Sequence, residues 1–344
     1  MVFAILRALA RATRRDLGTF GSFKVNNFFF FVATLMYGAL NSGLPPRSAY
    51  PFLLLLGVLL LFPLSSDPLS RIPPSRLALW PLGAASRLVL RAVSPALSPV
   101  LWLTVFLMLK SAPALAAAFV ALAIAAQVAM AAGHGLARRT PRWNPIRFLP
   151  RLPGRAGQLV RNNLRAMLCV LDVYVAALLG AAGCLYRLLT RDPEPAAYPI
   201  LAMLVALALS TYAQGLFSLD GGPGATRYRL LPLRGWQILA AKDAAYLAIL
   251  LVLVLPLSPL PGLTFGLTTL SIGHFPSVAL RLPQRRWRFT GGRAWLGAAQ
   301  VLIGFTLAFA EAHGGLVYLF VAAAGCTASV AWCGRRWELR FRRS

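Results

Sequence analysis

Acidic side chains are nearly absent from this chain: nine Asp and Glu stand against 35 Lys and Arg in 344 residues. Only three of the basic residues are lysines, Lys24, Lys110 and Lys242. None follows the glycines of a GxxxxGK[ST] phosphate loop, which excludes ATP hydrolysis by this sequence itself. The three histidines, His134, His274 and His313, are scattered, without HExxH spacing or paired carboxylates. No metal or acid–base centre is therefore expected, and no cofactor. Cys169, Cys184, Cys326 and Cys333 lie in apolar runs without CxxC spacing, so they read as small core residues and not as a zinc site or a disulfide framework.

What is abundant is apolar. Hydrophobic residues make up 58% of the chain, and the mean hydropathy is +0.67, the composition of a polytopic membrane protein. A formal charge of +26 could suggest nucleic acid. Here, however, the polar stretches are short connectors between apolar runs, so the charge reads as topology and no nucleic-acid partner is expected. The first apolar run lacks a small-residue cleavage pattern and reads as a first span, not as a signal peptide.

A bilayer core about 30 Å thick needs roughly 20 apolar residues in helix. On that measure the sequence predicts an all-α fold with about ten spans, near 26–44, 50–64, 97–110, 113–133, 166–189, 198–218, 244–259, 261–280, 294–311 and 315–333. The second and third are short. With an N-terminus inside, 31 of the 35 basic residues fall in alternate, inside segments, as the positive-inside rule requires. Both termini are then cytoplasmic. The abundance of Arg, Ala and Pro suggests a high-GC bacterial genome, and hence a multi-pass protein of the bacterial inner membrane.

The order along the chain is a basic, amphipathic segment 1–24, a first repeat of four spans 25–133, an Arg/Pro/Gly-rich linker 134–160, a second repeat of six spans 161–333 and a basic tail 334–344. The N-terminal segment resembles an interfacial helix resting on an anionic inner leaflet. Lys24-Val25-Asn26-Asn27 opens the first repeat as Arg161-Asn162-Asn163 opens the second. Four spans separate the copies, so the halves are parallel repeats.

The most informative stretch occurs twice, at an offset of 151 residues. Arg76 aligns with Arg227, Leu79 with Leu230, Pro81-Leu82 with Pro232-Leu233, Leu88 with Leu239, and Arg91 with Lys242. Proline suits the first turn of a helix, so each copy predicts a short amphipathic helix starting at the membrane surface. In the second copy Leu233, Trp236, Ile238 and Leu239 form the apolar face, while Arg234, Gln237 and Lys242 stay wet. In the first, Leu82, Ala85, Leu88 and Val89 take that place beside Arg87 and Arg91. Such an element can rest on lipid or insert into a soluble partner.

The segments FSLDGGPGATRYRLLPLRGWQILAAKDAA and, more weakly, SSDPLSRIPPSRLALWPLGAASRLVLRAV resemble the coupling-helix region of permease subunits of type-2 ATP-binding-cassette (ABC) exporters. The resemblance implies a separate ATPase subunit docked on Arg76, Leu79, Pro81, Leu82, Arg87 and Arg91, and on Arg227, Leu230, Pro232, Leu233, Trp236 and Lys242. Residues 160–333 match the family's six-span layout, and 20–133 match its first four spans. The chain would then not be an enzyme, its energy being supplied in trans.

Two acids stand in or near spans. Asp172 is either part of a substrate or proton path or a hydrogen-bonded structural carboxyl, and Glu311 reads as interfacial. Asp243 is placed at the membrane surface. Two further function classes remain open: a secondary transporter with parallel repeats, and a membrane enzyme acting on lipid-linked substrates.

Overall fold

The computed structural model describes residues 2–18, 24–25, 69, 72, 79–97, 99–109, 113–136, 154–189, 197–220, 228, 230, 232–279 and 289–342. The spans expected at 26–44 and 50–64, residues Arg76 and Arg227, and most of the linker lie outside them. The chain divides into two compact units, Met1–Phe23 with Phe29–Trp143, and Lys24–Phe28 with Asn144–Ser344.

The first unit contains α1 (Val2–Gly18), α2 (Ala84–Val93), α3 (Pro99–Leu109) and α4 (Pro113–Leu136). In α1, Arg7, Arg11 and Arg14 are exposed while Leu9 and Thr13 are buried, the one-sided pattern of an amphipathic helix. Leu9 packs with Leu69, Leu82 and Leu90 in a small cluster edged by Ile5, Leu6 and Trp80. The stripe expected to rest on lipid is thus shared with α2. α3 has 11 residues, which at 1.5 Å each covers about half the hydrocarbon core.

The second unit contains α5 (Gly154–Met167), α6 (Leu171–Leu189), α7 (Ala197–Ala213), α8 (Gly235–Val254), α9 (Pro259–Ala279), α10 (Ala294–Gly314) and α11 (Val317–Arg342). A two-residue antiparallel pair, β1 (Lys24–Val25) with β2 (Gly292–Arg293), adds Lys24 and Val25 to this unit. α9 is the hub, packed against α7, α10 and α11. It buries Thr264, Phe265, Thr268, Thr269, His274 and Ser277. Three of these hydroxyls bond to backbone carbonyls of the same helix: Thr268 Oγ1 donates to Thr264, Thr269 Oγ1 to Gly266 and Ser277 Oγ to His274. A Cβ on Gly273 would stand 2.6 Å from the backbone of Ala213, so glycine there lets α7 and α9 touch.

Among the described residues, three helices are long and apolar enough to cross a membrane, α8, α10 and the Val317–Leu339 part of α11. Their outward faces carry Val252, Leu302, Phe309, Phe320 and Trp332, all exposed. A surface of that kind belongs in hydrocarbon. The protein is therefore a mostly α-helical membrane protein.

Two expected elements differ. The span placed at 166–189 is α6, which starts at Leu171, and α5 precedes it at an angle of 81°. α5 carries Arg161, Asn162, Asn163 and Arg165 and ends in turns at 168–170, so the Asn pair sits on a polar helix preceding the apolar one. Likewise, residues 235–242 and the span expected from 244 form one helix. Arg234 is extended, and α8 then runs unbroken from Gly235 to Val254. Ala240-Ala241-Lys242-Asp243-Ala244-Ala245 contains only residues a helix accommodates, so nothing interrupts it. α11 also continues to Arg342, through most of the expected tail.

Candidate functional site

The twin stretches share an exposed head. Leu79 is 82% exposed and Leu230 is 80% exposed, although leucine is among the residues most often buried. Pro81 and Pro232 are exposed as well. Beyond the prolines the copies diverge. Leu82 is buried and Leu233 only partly so, and Arg87 is exposed while Arg91 is half-buried. Trp236 is half exposed on the first turn of α8.

Lys242 corrects the expectation of a wet cation, because it is 3% exposed. Its Nζ donates to Asn163 Oδ1 at 3.0 Å, to the Leu216 carbonyl at 2.8 Å and to Asp220 Oδ2 at 2.7 Å. An ammonium has three donors, and all three are used. Phe217 and Tyr228 present their rings 4.7 and 5.6 Å from the same nitrogen. Trp337 closes the cage, stacked on Phe217 and edge-on to Tyr228. Burial, and secondarily the Asp220 carboxylate, raises the Tyr228 phenol above its ordinary range. Lys242 ties α5, the 214–220 turn and α8 together, and Trp337 joins α11 to the same cage.

The start of α8 is pinned by contact of backbones. A Cβ on Gly235 would lie 2.4 Å from the Gly334 carbonyl oxygen, and one on Gly334 would lie 2.5 Å from Trp236 Cα. Only glycine fits on both sides. The Gly235 amide donates to Glu338 Oε1, which places a carboxylate at the positive end of α8. The Arg234 amide donates to Gln237 Oε1 at 2.9 Å, satisfying another of the free N–H groups at that end.

Sequence reading missed a second polar cluster. His274 Nε2 and Asp243 Oδ1 are 2.9 Å apart, and His274 Nδ1 and Ser329 Oγ are 3.0 Å apart. Ser329 Oγ donates to the Ser271 carbonyl; having spent its one hydrogen, it accepts from Nδ1–H of His274. Cys326 completes a group whose carboxylate, imidazole and thiol atoms lie within 4.8 Å of one another, and these three could hold a metal ion. Asp243 is buried inside the bundle. The signal was absent from the sequence because the three residues sit on three helices, with no local spacing to betray them.

Asp172, in the first turn of α6, accepts the Thr290 amide at 2.8 Å and the Thr290 hydroxyl at 2.9 Å. These bonds hold the segment leading into β2 and α10. Nearby, Gln214 Nε2 donates to Gln300 Oε1 at 2.8 Å and Gln214 Oε1 accepts from the Arg293 amide. Gln300 donates in turn to the carbonyls of Ser210 and Thr269. Glu311, expected in water, is buried on α10.

No protein-family model, curated protein or solved structure matches this chain.

Proposed function

We propose that this chain is the membrane-spanning permease component of an ABC-type exporter, working with a separate ATPase subunit. The observation that carries the reading is the pair Leu79 and Leu230. Aligned at a fixed offset, both stand exposed two residues before an exposed proline. An exposed leucine held in place by a rigid base is a docking anchor, because a partner that covers it gains apolar burial without having to order it. Two residues before Leu230, Tyr228 packs in the Lys242 cage, and five residues after it Gly235 meets Gly334.

The finer topology belongs to the same reading: about ten spans in two parallel repeats, both termini in the cytoplasm of a bacterium, and basic ends facing inward. Trp236 and Trp295 stand at the starts of α8 and α10, beside Arg234 and Arg293. Aromatic and basic residues together suit the inner interface. A force applied at Leu230 would be delivered directly into a membrane span, since α8 is one helix from Gly235 to Val254. That continuity supports coupling at the second copy. The first copy ends with α2 at Val93 and would serve mainly as an attachment point.

The test is reconstitution with ATP-binding-cassette subunits encoded next to this chain. The complex should hydrolyse ATP, and Leu230→Asp should weaken association while the chain stays folded. Unimpaired association of Leu230→Asp would refute the docking claim. The secondary-carrier reading needs a titratable group free to cycle, and Asp172 is engaged by Thr290. The enzyme reading draws on the Asp243–His274–Cys326 group, and a hydrolytic activity lost in His274→Ala would favour it.

A further inference from the structure

Beside the Gly235–Gly334 contact lies an open groove of about 1400 Å³ between α8 and α11. Leu247, Leu267, Ala323 and Val330 make much of its wall, and Arg234, Arg335 and Arg336 stand at one end. We propose that this groove binds an anionic phospholipid, one acyl chain along the apolar wall and the phosphate among the three arginines.

The dimensions fit one leaflet. From Ala323 to Trp332 along α11 is nine residues, or about 14 Å of helix, close to half the 30 Å hydrocarbon core. The basic end begins three residues further on, at Arg335. The small side chains of Ala240, Ala244, Ala323 and Ala331 leave the space a chain needs. Trp332, largely exposed, sits where hydrocarbon gives way to headgroup, as an interfacial indole does.

The charge selects the head. Arg234, Arg335 and Arg336 are all exposed, and the glycine contact brings Arg234 and Arg335 to either side of one crossing. Arg336 rests over the Phe275 ring, 5.3 Å from its centroid, which fixes its direction. The one carboxylate of the lining near them, Glu338, is turned to the Gly235 amide. Guanidinium groups present paired donors that match phosphate oxygens. A zwitterionic lipid would bring its own cation into the same basic end, so discrimination falls on net headgroup charge. The proposal rests on the membrane placement of α8 and α11 and not on the ATPase partner.

The experiment uses the full chain, delipidated in neutral detergent, titrated with phosphatidylglycerol or phosphatidylcholine of identical chains. Bound lipid is counted by native mass spectrometry. Phosphatidylglycerol should bind about tenfold more tightly, and the double variant Arg335→Gln/Arg336→Gln should reduce that preference to about twofold. Ala244→Leu, which fills the wall without touching the arginines, should weaken both lipids alike. Glycerol phosphate at the same concentrations should not compete, because it lacks the chains. A competition on the unaltered chain, bound phosphatidylglycerol against added phosphatidylcholine, gives the preference without any variant. Equal affinity for the two lipids, a preference that survives the double variant, or displacement by glycerol phosphate would each overturn the proposal.

Discussion

Lys242 Nζ stands 2.7 Å from Asp220 Oδ2, with side chains 3% and 16% exposed. The pair joins a span to the turn that precedes Tyr228 and Leu230, so the base of the proposed docking head hangs on it. Removing one partner of a buried pair leaves the other charge without compensation. Lys242→Met should therefore lower stability by about 3 kcal/mol, read as the midpoint of thermal unfolding in detergent. Lys242→Arg should not restore it, since a planar guanidinium cannot reproduce three acceptors around one nitrogen. A further change of Asp220 to Leu should recover part of the loss. An unchanged midpoint in Lys242→Met would contradict the structural role.

The glycine crossing makes a sharper demand on shape. Gly334→Val should cost about 2–3 kcal/mol, because its Cβ would have to displace Trp236 backbone. Gly325 on the same helix offers a control, since the nearest atom to an added Cβ there is Ser271 Oγ at 3.6 Å. Gly325→Ala should be close to neutral. Equal effects at both positions would contradict a backbone contact at 235 and 334.

For Asp172 the bonds to Thr290 predict coupling between two positions 118 residues apart. Asp172→Asn and Thr290→Val should each destabilise by about 1–2 kcal/mol, and the double variant by less than the sum. Transport should fall only with the amount of folded protein. A folded Asp172→Asn protein without transport would instead put the carboxyl on a substrate or proton path.

The helical membrane class, the helix at 2–18 and a helix beginning just after each Pro-Leu pair were legible in the sequence. Each of these is local: composition, one-sided apolar spacing and proline at a first turn act within a few residues. What could not be read depends on approach between distant segments. Lys242 reads as wet because its acceptors, Asn163 and Asp220, lie on other elements. His274 reads as isolated because Asp243, Cys326 and Ser329 are on other helices or other turns. α8 reads as two pieces because charged residues resemble a surface connector until their buried partners are known. The bend at 168–170 shows a milder failure, for a polar helix running into an apolar one has no proline to mark the corner.

The docking surface itself yields a prediction about asymmetry. Leu79→Asp and Leu230→Asp alter exposed side chains, so neither should shift unfolding by more than about 0.5 kcal/mol. Both should weaken association with the ATPase subunit. Because α8 continues into a span whereas α2 stops at Val93, Leu230→Asp should suppress stimulated ATP hydrolysis more strongly at matched occupancy. Equal suppression by the two would remove the claimed difference between the copies.

The most direct measurement is site-specific crosslinking to the co-expressed ATPase subunit. Cysteines introduced as Leu79→Cys and Leu230→Cys meet little background, because the four native cysteines are buried or half-buried. Leu188→Cys, as exposed as Leu230 but at the far end of α6, is the control. The account predicts crosslinks from positions 79 and 230 and none from 188; crosslinking from 188 alone, or from none of the three in an assembled and active complex, would contradict it.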